Sequence, residues 1–333
     1  MGAHEPPWEG EEPAGEAAPE WRESSIGAEL HGLRLDKALT HVVPEFSRSY
    51  LQQLVDDGRA SLDGRVVRTA SHRVRAGERV RIELVPTQQS LAFRPEPVPL
   101  DVVHEDEHVC VIDKRAGLVV HPGAGNWSGT LLNGLLHRDP RCASLPRAGI
   151  VHRLDKDTSG LMVVGRSLAA VTALVRAIAA REVQREYLAL VHGHWHAAER
   201  VDAPVGRDPV SRVRMAVVPG GRAARTDVVP LGHGHGASAL RCVLHTGRTH
   251  QIRVHVSHRG HPLLADTLYG GQPALGLSRQ ALHAHHLAFH HPVTGEPMAF
   301  RRPLPADLAV AWERVTGQPA AGLVAPATGY NPG

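Results

Sequence analysis

The chain has 333 residues, 42% of them hydrophobic, and a formal net charge of +3. That length suits two domains, one with a sizeable core, and no apolar run approaches the ~20 residues of a membrane-spanning helix. The three cysteines, Cys110, Cys142 and Cys242, are too scattered for a disulfide framework or a paired-thiolate zinc site, so a reducing cytoplasm is expected.

Residues 1–25 are rich in Glu, Pro, Gly and Ala and show no periodicity, so a disordered acidic tail is expected there. They carry no basic segment followed by an apolar one, so no secretory signal is expected. Residues 33–85 read as a small module. Leu35, Leu39 and Val42 share one helical face, which Pro44 ends. Ser47 is a candidate N-cap for a second helix with the stripe Leu51, Leu54 and Val55, and Gly58 closes it. Asp63-Gly64 between apolar residues signals a hairpin. A strand follows, with Val80, Ile82 and Leu84 on one face. Residues 86–100 hold four prolines and read as a linker.

The second domain should span residues 101–315, with a disordered tail over 316–333. It opens on a strand at "VCVIDK" and continues to "GIVHRLDKDTSGLMVV", a polar turn between apolar runs. A helix then starts at the N-cap Ser167, with Val171, Leu174, Val175 and Ile178 at helical spacing. "REYLALVHGHW" is strand-like. "ALRCVLHTGRTHQIRVHVSHRG" suggests a strand, a tight turn and then a second strand or the start of a helix. If residues 251–256 are extended, Arg253 and His255 share a face. Strands dominate without regular βαβ alternation, which argues for an α+β fold on a mixed, mostly antiparallel sheet.

Of the 37 basic residues only Lys37, Lys114 and Lys156 are lysine. Guanidinium binds phosphate bidentately and stacks on bases, which favours a nucleic-acid partner; a GC-rich genome explains the same bias. In the polar turn, Asp155 and Asp157 are candidates for catalysis or for capping the turn's own amides. The 24 histidines form neither HExxH nor a Cys/His set with zinc-finger spacing, so no metal is expected. No glycine-rich nucleotide loop occurs, so no nucleotide cofactor is expected either.

The turn motif resembles the active-site motif of the RluA-type pseudouridine synthases. Four further segments match that family in order: 111–136, 185–193, 246–270 and 282–297. Residues 33–85 resemble the S-four-type RNA-binding domain that many of these enzymes carry. The resemblance implies isomerisation of specific uridines, most often in large-subunit ribosomal RNA, by a monomer that flips the base out of its stack and needs no cofactor. It assigns Asp155 as the nucleophile or base, Arg253 as its partner, and Tyr187 as the residue that stacks on uracil. It places Arg153 where the displaced base was, and RNA contacts at His152, Arg248, His250 and Gln251, with Arg48 and Arg59 in the N-terminal module. At "LADTLYG" the family commonly has Gly before the Asp, where this chain has Ala265. An inactive RNA-binding protein would not need Asp155, Tyr187 and Arg253 together, and a nucleoside hydrolase would need a second catalytic carboxylate.

Overall fold

The computed structural model describes residues 20–85, 92–123, 125–211 and 213–320. The chain divides into two compact units, residues 1–91 and 92–333.

In the first unit, helices α1 (Leu35–Val42) and α2 (Arg48–Asp56) pack on a four-stranded sheet. Its strands are β1 (Glu20–Ser25), β2 (Ala60–Leu62), β3 (Arg65–Val67) and β4 (Arg79–Leu84), in the order β1-β4-β2-β3. Leu35, Leu39, Leu51, Val55, Val80 and Ile82 form its core. The local signals act as expected. The Ser47 side chain accepts from the Tyr50 N–H. Asp63 and Gly64 both take positive φ, 46° and 77°, as the two-residue turn between β2 and β3 requires.

One expectation is overturned here. Residues 20–25, assigned to the disordered tail, form β1 and pair with β4 along six residues, from Glu20 opposite Leu84 to Ser25 opposite Arg79. The strand is an exposed edge with no apolar alternation to announce it. It is held by main-chain bonds, and the Arg81 guanidinium lies 4.1 Å from the Trp21 ring centre. The rest of that expected tail, residues 1–19, lies outside the described residues, as do 86–91 of the linker and 321–333 of the C-terminal tail.

The second unit is built on a nine-stranded sheet. Its strands are β5 (Asp101–Glu105), β6 (Val109–Lys114), β7 (Ser159–Gly165), β8 (Gln184–His192), β9 (Glu199–Asp202), β12 (Arg225–Gly234), β13 (Ala237–Leu244), β14 (Leu282–His290) and β15 (Pro297–Arg301). Strands β10 (Val205–Arg207) and β11 (Met215–Val217) form a separate hairpin. The order is β5-β6-β7-β14-β8-β13-β12-β9, with β15 on β14. Only β7 and β14 pair parallel, so the sheet is mixed and mostly antiparallel.

Alternation along β7 divides the core. Met162 and Val164 join α3 (Leu131–Arg138) and α5 (Gln251–His258) on one face; Leu161 and Val163 join α4 (Leu168–Ala180) on the other. The last helix, α6 (Ala306–Thr316), packs with Leu188, Leu190 and Ala239.

One further expectation changes, and one pair of alternatives is decided. The proline-rich stretch is docked rather than free from Ala92 onward. Asn133 Nδ2 donates to the Ala92 and Arg94 carbonyls, and Val98 and Leu100 pack on the core. Residues 251–258 are helical, not extended. Ile252 and Val256, four apart, are buried together, which a helix allows and a strand would also have allowed. Arg253 and His255 therefore point to different surroundings: His255 is buried between Thr226 Oγ1 and the Ala203 carbonyl.

The first unit contains a buried carboxylate, Asp36, bonded by Arg34, Arg48 and the Lys37 N–H. Burial alone would raise its pKa, but the two guanidiniums more than offset this and hold it below the ordinary value. A carboxylate with a lowered folded-state pKa stabilises above its unfolded pKa and loses that contribution as pH falls through the folded value. Asp36→Asn is expected to lower the melting temperature of the full chain at neutral pH, with the difference from wild type shrinking on acidification, as read by thermal unfolding across pH.

Candidate active site

The polar turn that follows Ile150 is fixed from several sides. Lys114, at the end of β6, is 1% exposed and donates to the carbonyls of Arg115, Leu118 and Lys156 at 2.8–2.9 Å. All three of its donors are thus used on the backbone. Arg279 donates to the Asp157 carbonyl at 2.9 Å, and Gln280 to Thr158 Oγ1 at 3.1 Å. The Thr158 N–H closes the turn on the Asp155 carbonyl. At its exit Gly160 has φ 114°, and a Cβ there would lie 2.2 Å from the Ala284 carbonyl oxygen, so only glycine lets β7 meet β14. These bonds leave the Asp155 side chain free to face a cavity of about 610 Å³.

In that cavity Asp155 Oδ2 accepts from Arg253 Nη1 at 3.1 Å. Arg253 comes from α5 and is nearly buried; its Nε and Nη2 donate to the two oxygens of the buried Asp266, both at 2.8 Å. One guanidinium therefore joins two carboxylates, with a bidentate grip on the inner one. Burial works against its charge, but Asp266 and Asp155 outweigh that and push its pKa up, so it is a permanent cation. Asp266 sits in a tight turn, with the Tyr269 and Gly271 N–H groups donating to its carbonyl. Ala265 takes φ 58° there, the left-handed conformation that glycine adopts at no cost.

His250 enters α5 with φ 58° and stands beside this pair. Its Nδ1 is 2.7 Å from the Tyr269 hydroxyl, and its Nε2 is 3.8 Å from Asp155 Oδ1. The hydroxyl also accepts from the Met215 N–H, so Tyr269 ties His250 to β11. The Tyr269 ring also packs against Arg253, whose Cζ is 4.9 Å from its centre. Tyr187 of β8 lines the same cavity and is buried, which pushes its phenol up to about 12 against the opposing effect of Arg185. Arg153 is exposed and Arg248 half-buried, both on the cavity lining.

The structure thus brings together Asp155, Arg253, Tyr187, Arg153, Arg248 and His250, and His152 and Gln251 line the same cavity. The last two also have internal work. Gln251 is 3% exposed, and its amide is saturated: Oε1 accepts from Thr246 Oγ1 and the Arg248 N–H, and Nε2 donates to the Arg225 carbonyl and Thr226 Oγ1. His152 accepts the Val163 N–H on Nε2, and burial pushes its pKa down to about 3. Both hold loops in shape. In the first unit Arg48 faces Asp36 at 2.9 Å and Arg59 faces Glu83 at 2.7 Å. Arg68 and Arg73 there donate only to carbonyls in their hydrogen bonds, and Arg65 and Arg75 are exposed.

Sequence reasoning missed Asp266, Tyr269 and the anchoring role of Lys114. Asp266 and Tyr269 lie within a segment quoted for its resemblance, but no spacing rule ties a turn aspartate to an arginine 13 residues earlier. Among the described residues no group of three His, Cys, Asp or Glu side chains is arranged to hold a metal ion, and no helix is long and apolar enough to cross a membrane.

Comparison with known proteins gives this geometry a family. Residues 108–258 match the model for RNA pseudouridylate synthase, and residues 33–80 match the S4 domain. The chain is 48% identical over 300 residues to the ribosomal large subunit pseudouridine synthase D of Xanthomonas campestris pv. campestris, covering 86% of this chain and 90% of the relative. The chain belongs to the RNA pseudouridylate synthase family. The protein of the same name from Nitrosomonas europaea is 44% identical over 305 residues, covering 89% and 88%. Among solved structures, human RNA pseudouridylate synthase domain containing 1 is similar with a TM-score of 0.51 and 28% identity, covering 63% of this chain and 85% of that one. As a member of this family the chain is an RNA pseudouridine synthase, and the expected α+β fold with its N-terminal RNA-binding module is present.

Asp266→Asn weakens the grip on Arg253 while leaving Asp155 in place. We expect single-turnover pseudouridine formation to slow by up to about a hundredfold with little change in RNA affinity, since small misplacements of a reacting group cost about that much.

Proposed function

We propose that this synthase isomerises specific uridines of large-subunit ribosomal RNA, with Asp155 as the group that acts at the ribose. The observation that carries the reading is Asp155 and Arg253 in one cavity with Tyr187, with Asp266 gripping Arg253 from behind. The relatives' names support the choice of ribosomal RNA.

The chemistry follows from what each group can do. The Asp155 carboxylate attacks C1′ or removes the C2′ proton, and the Arg253 guanidinium hydrogen-bonded to it holds it in place. The C1′–N1 bond breaks, the uracil turns, and C5 joins C1′. The C5 proton leaves and N1 gains one, so the product is an isomer of the substrate. No net oxidation or reduction occurs, so the reaction has no need of a redox cofactor. Tyr187 offers its ring to the base and its hydroxyl to the C5 proton. The base must leave its stack, at a cost of a few kcal/mol, and Arg153 at the cavity mouth can fill the vacated space with a planar cation.

The first unit supplies phosphate contacts that position a large RNA without specifying its sequence. Arg65, Arg68, Arg73 and Arg75 suit this better than Arg48 and Arg59, which already face carboxylates. One chain furnishes the whole site, which supports a monomer. Three buried free cysteines and a ribosomal substrate support a reducing cytoplasm.

Two measurements test this. Asp155→Asn should bind large-subunit RNA as wild type does and form no pseudouridine; conversion by that variant would remove Asp155 from the chemistry. Removing residues 1–91 should weaken RNA binding and flatten the dependence of log affinity on log salt by about 0.7–0.9 for each phosphate that the first unit neutralises. An unchanged salt slope would dismiss the RNA role of the first unit.

A further inference from the structure

Arg185 is a buried cation without a counter-charge. It lies on β8 two residues before Tyr187, so both side chains leave the same face of the strand, and both line the active-site cavity. The residue is 5% exposed, its Nε is buried with no hydrogen-bond partner, and among the described residues no carboxylate lies within ion-pair distance. Arg253, equally buried, has two carboxylates.

The surroundings make room for this cation. A Cβ on Gly247 would lie 2.9 Å from Arg185 Nη1, and Gly247 has no positive φ to explain its glycine otherwise. Two neighbouring titratable groups, Tyr187 and His152, are neutral: burial pushes Tyr187 up to about 12 and His152 down to about 3. A buried guanidinium left uncompensated is unfavourable. Its persistence beside the reacting groups points to an anion that arrives during the reaction.

That anion has a chemical identity. When the C1′–N1 bond breaks, its electron pair stays on the ring, and uracil separates as an anion with charge shared by N1, O2 and O4. This holds whether Asp155 forms a bond to C1′ or removes the C2′ proton. The charge disappears when C5 joins C1′ and N1 takes up a proton. A phosphate is the other anion that RNA offers. Phosphates follow the backbone, where the more exposed Arg153 and Arg248 stand. Arg185 is instead on the wall shared with Tyr187, where the base belongs.

We propose that Arg185 is a catalytic residue that stabilises the uracil anion after glycosidic cleavage. The inference rests on the pseudouridine synthase reading. The neutral uracil of bound RNA gains less from the guanidinium than the detached anion does, so the contact lowers the barrier rather than tightening binding.

The test compares large-subunit RNA transcribed with uridine against the same RNA transcribed with 5-fluorouridine. The full chain is used under single-turnover conditions, and loss of the C1′–N1 linkage is read by digestion and mass spectrometry. Fluorine at C5 stabilises the leaving anion by itself. Arg185→Gln should slow cleavage of uridine by about a hundredfold, cleavage of 5-fluorouridine by far less, and leave RNA affinity unchanged. Arg185→Lys should recover part of the rate. Gly247→Ala, which displaces the guanidinium and keeps its charge, should show the same unequal slowing. Equal slowing on both RNAs, or a loss of affinity that accounts for the slowing, overturns the proposal; the second outcome would mark a phosphate contact. A wild-type chain that cleaves neither RNA would instead overturn the reading of function beneath it.

Discussion

The hydrogen bonds of Arg253 to Asp155 and Asp266 constrain everything else in the site. Asp155 needs a partner that orients its carboxylate in the cavity, and the Arg253 guanidinium supplies it. A buried guanidinium has its own desolvation cost and several donors to satisfy. Asp266 meets that demand from behind with two bonds at 2.8 Å, leaving the third for Asp155 at 3.1 Å. The unequal division matters. The inner aspartate holds the arginine rigid, and the outer one stays the reactive group.

The fold serves that arrangement by bringing together three elements that are distant in sequence. The Asp155 turn is locked between β6 and β7 by Lys114 and by Arg279. Helix α5 carries Arg253, anchored by Ile252 and Val256 in the core. The Asp266 turn is tied to α5 again through Tyr269, which positions His250 and packs on Arg253. A catalytic loop with so many backbone bonds has little freedom to lose when RNA binds, which is how a rigid scaffold keeps reacting groups in place. The same cavity carries a second buried guanidinium, Arg185, which among the described residues has no carboxylate within ion-pair distance, whereas Arg253 has two.

Much of this was legible in the sequence where local physics decides the outcome. Ser47 and Ser167 cap their helices, Asp63-Gly64 makes its hairpin, and the alternation in β4 matches the face it buries. The motif around Asp155 led to the family, and Tyr187 and Arg253 fell into the same cavity. What escaped depends on partners far away in the chain. Edge strand β1 is polar on both faces and exists because β4 offers it an unpaired edge. The run 251–256 fits either period, since Ile252 and Val256 share a face in a strand as in a helix, so the residues alone left both open. Gln251 and His152 look like recognition residues by type, and only their internal hydrogen bonds show that they also hold the backbone around the site. Asp266 and Lys114 could not be assigned, because a turn aspartate or a strand-end lysine has no pattern of its own.

The claim that this site modifies large-subunit ribosomal RNA is tested most directly in the cell. Pseudouridines are mapped across ribosomal RNA from a strain lacking this gene and from its parent. One or more large-subunit positions should lose pseudouridine and regain it when the wild-type chain is restored, with small-subunit RNA unchanged. An intact large-subunit map in the deletion strain would contradict it.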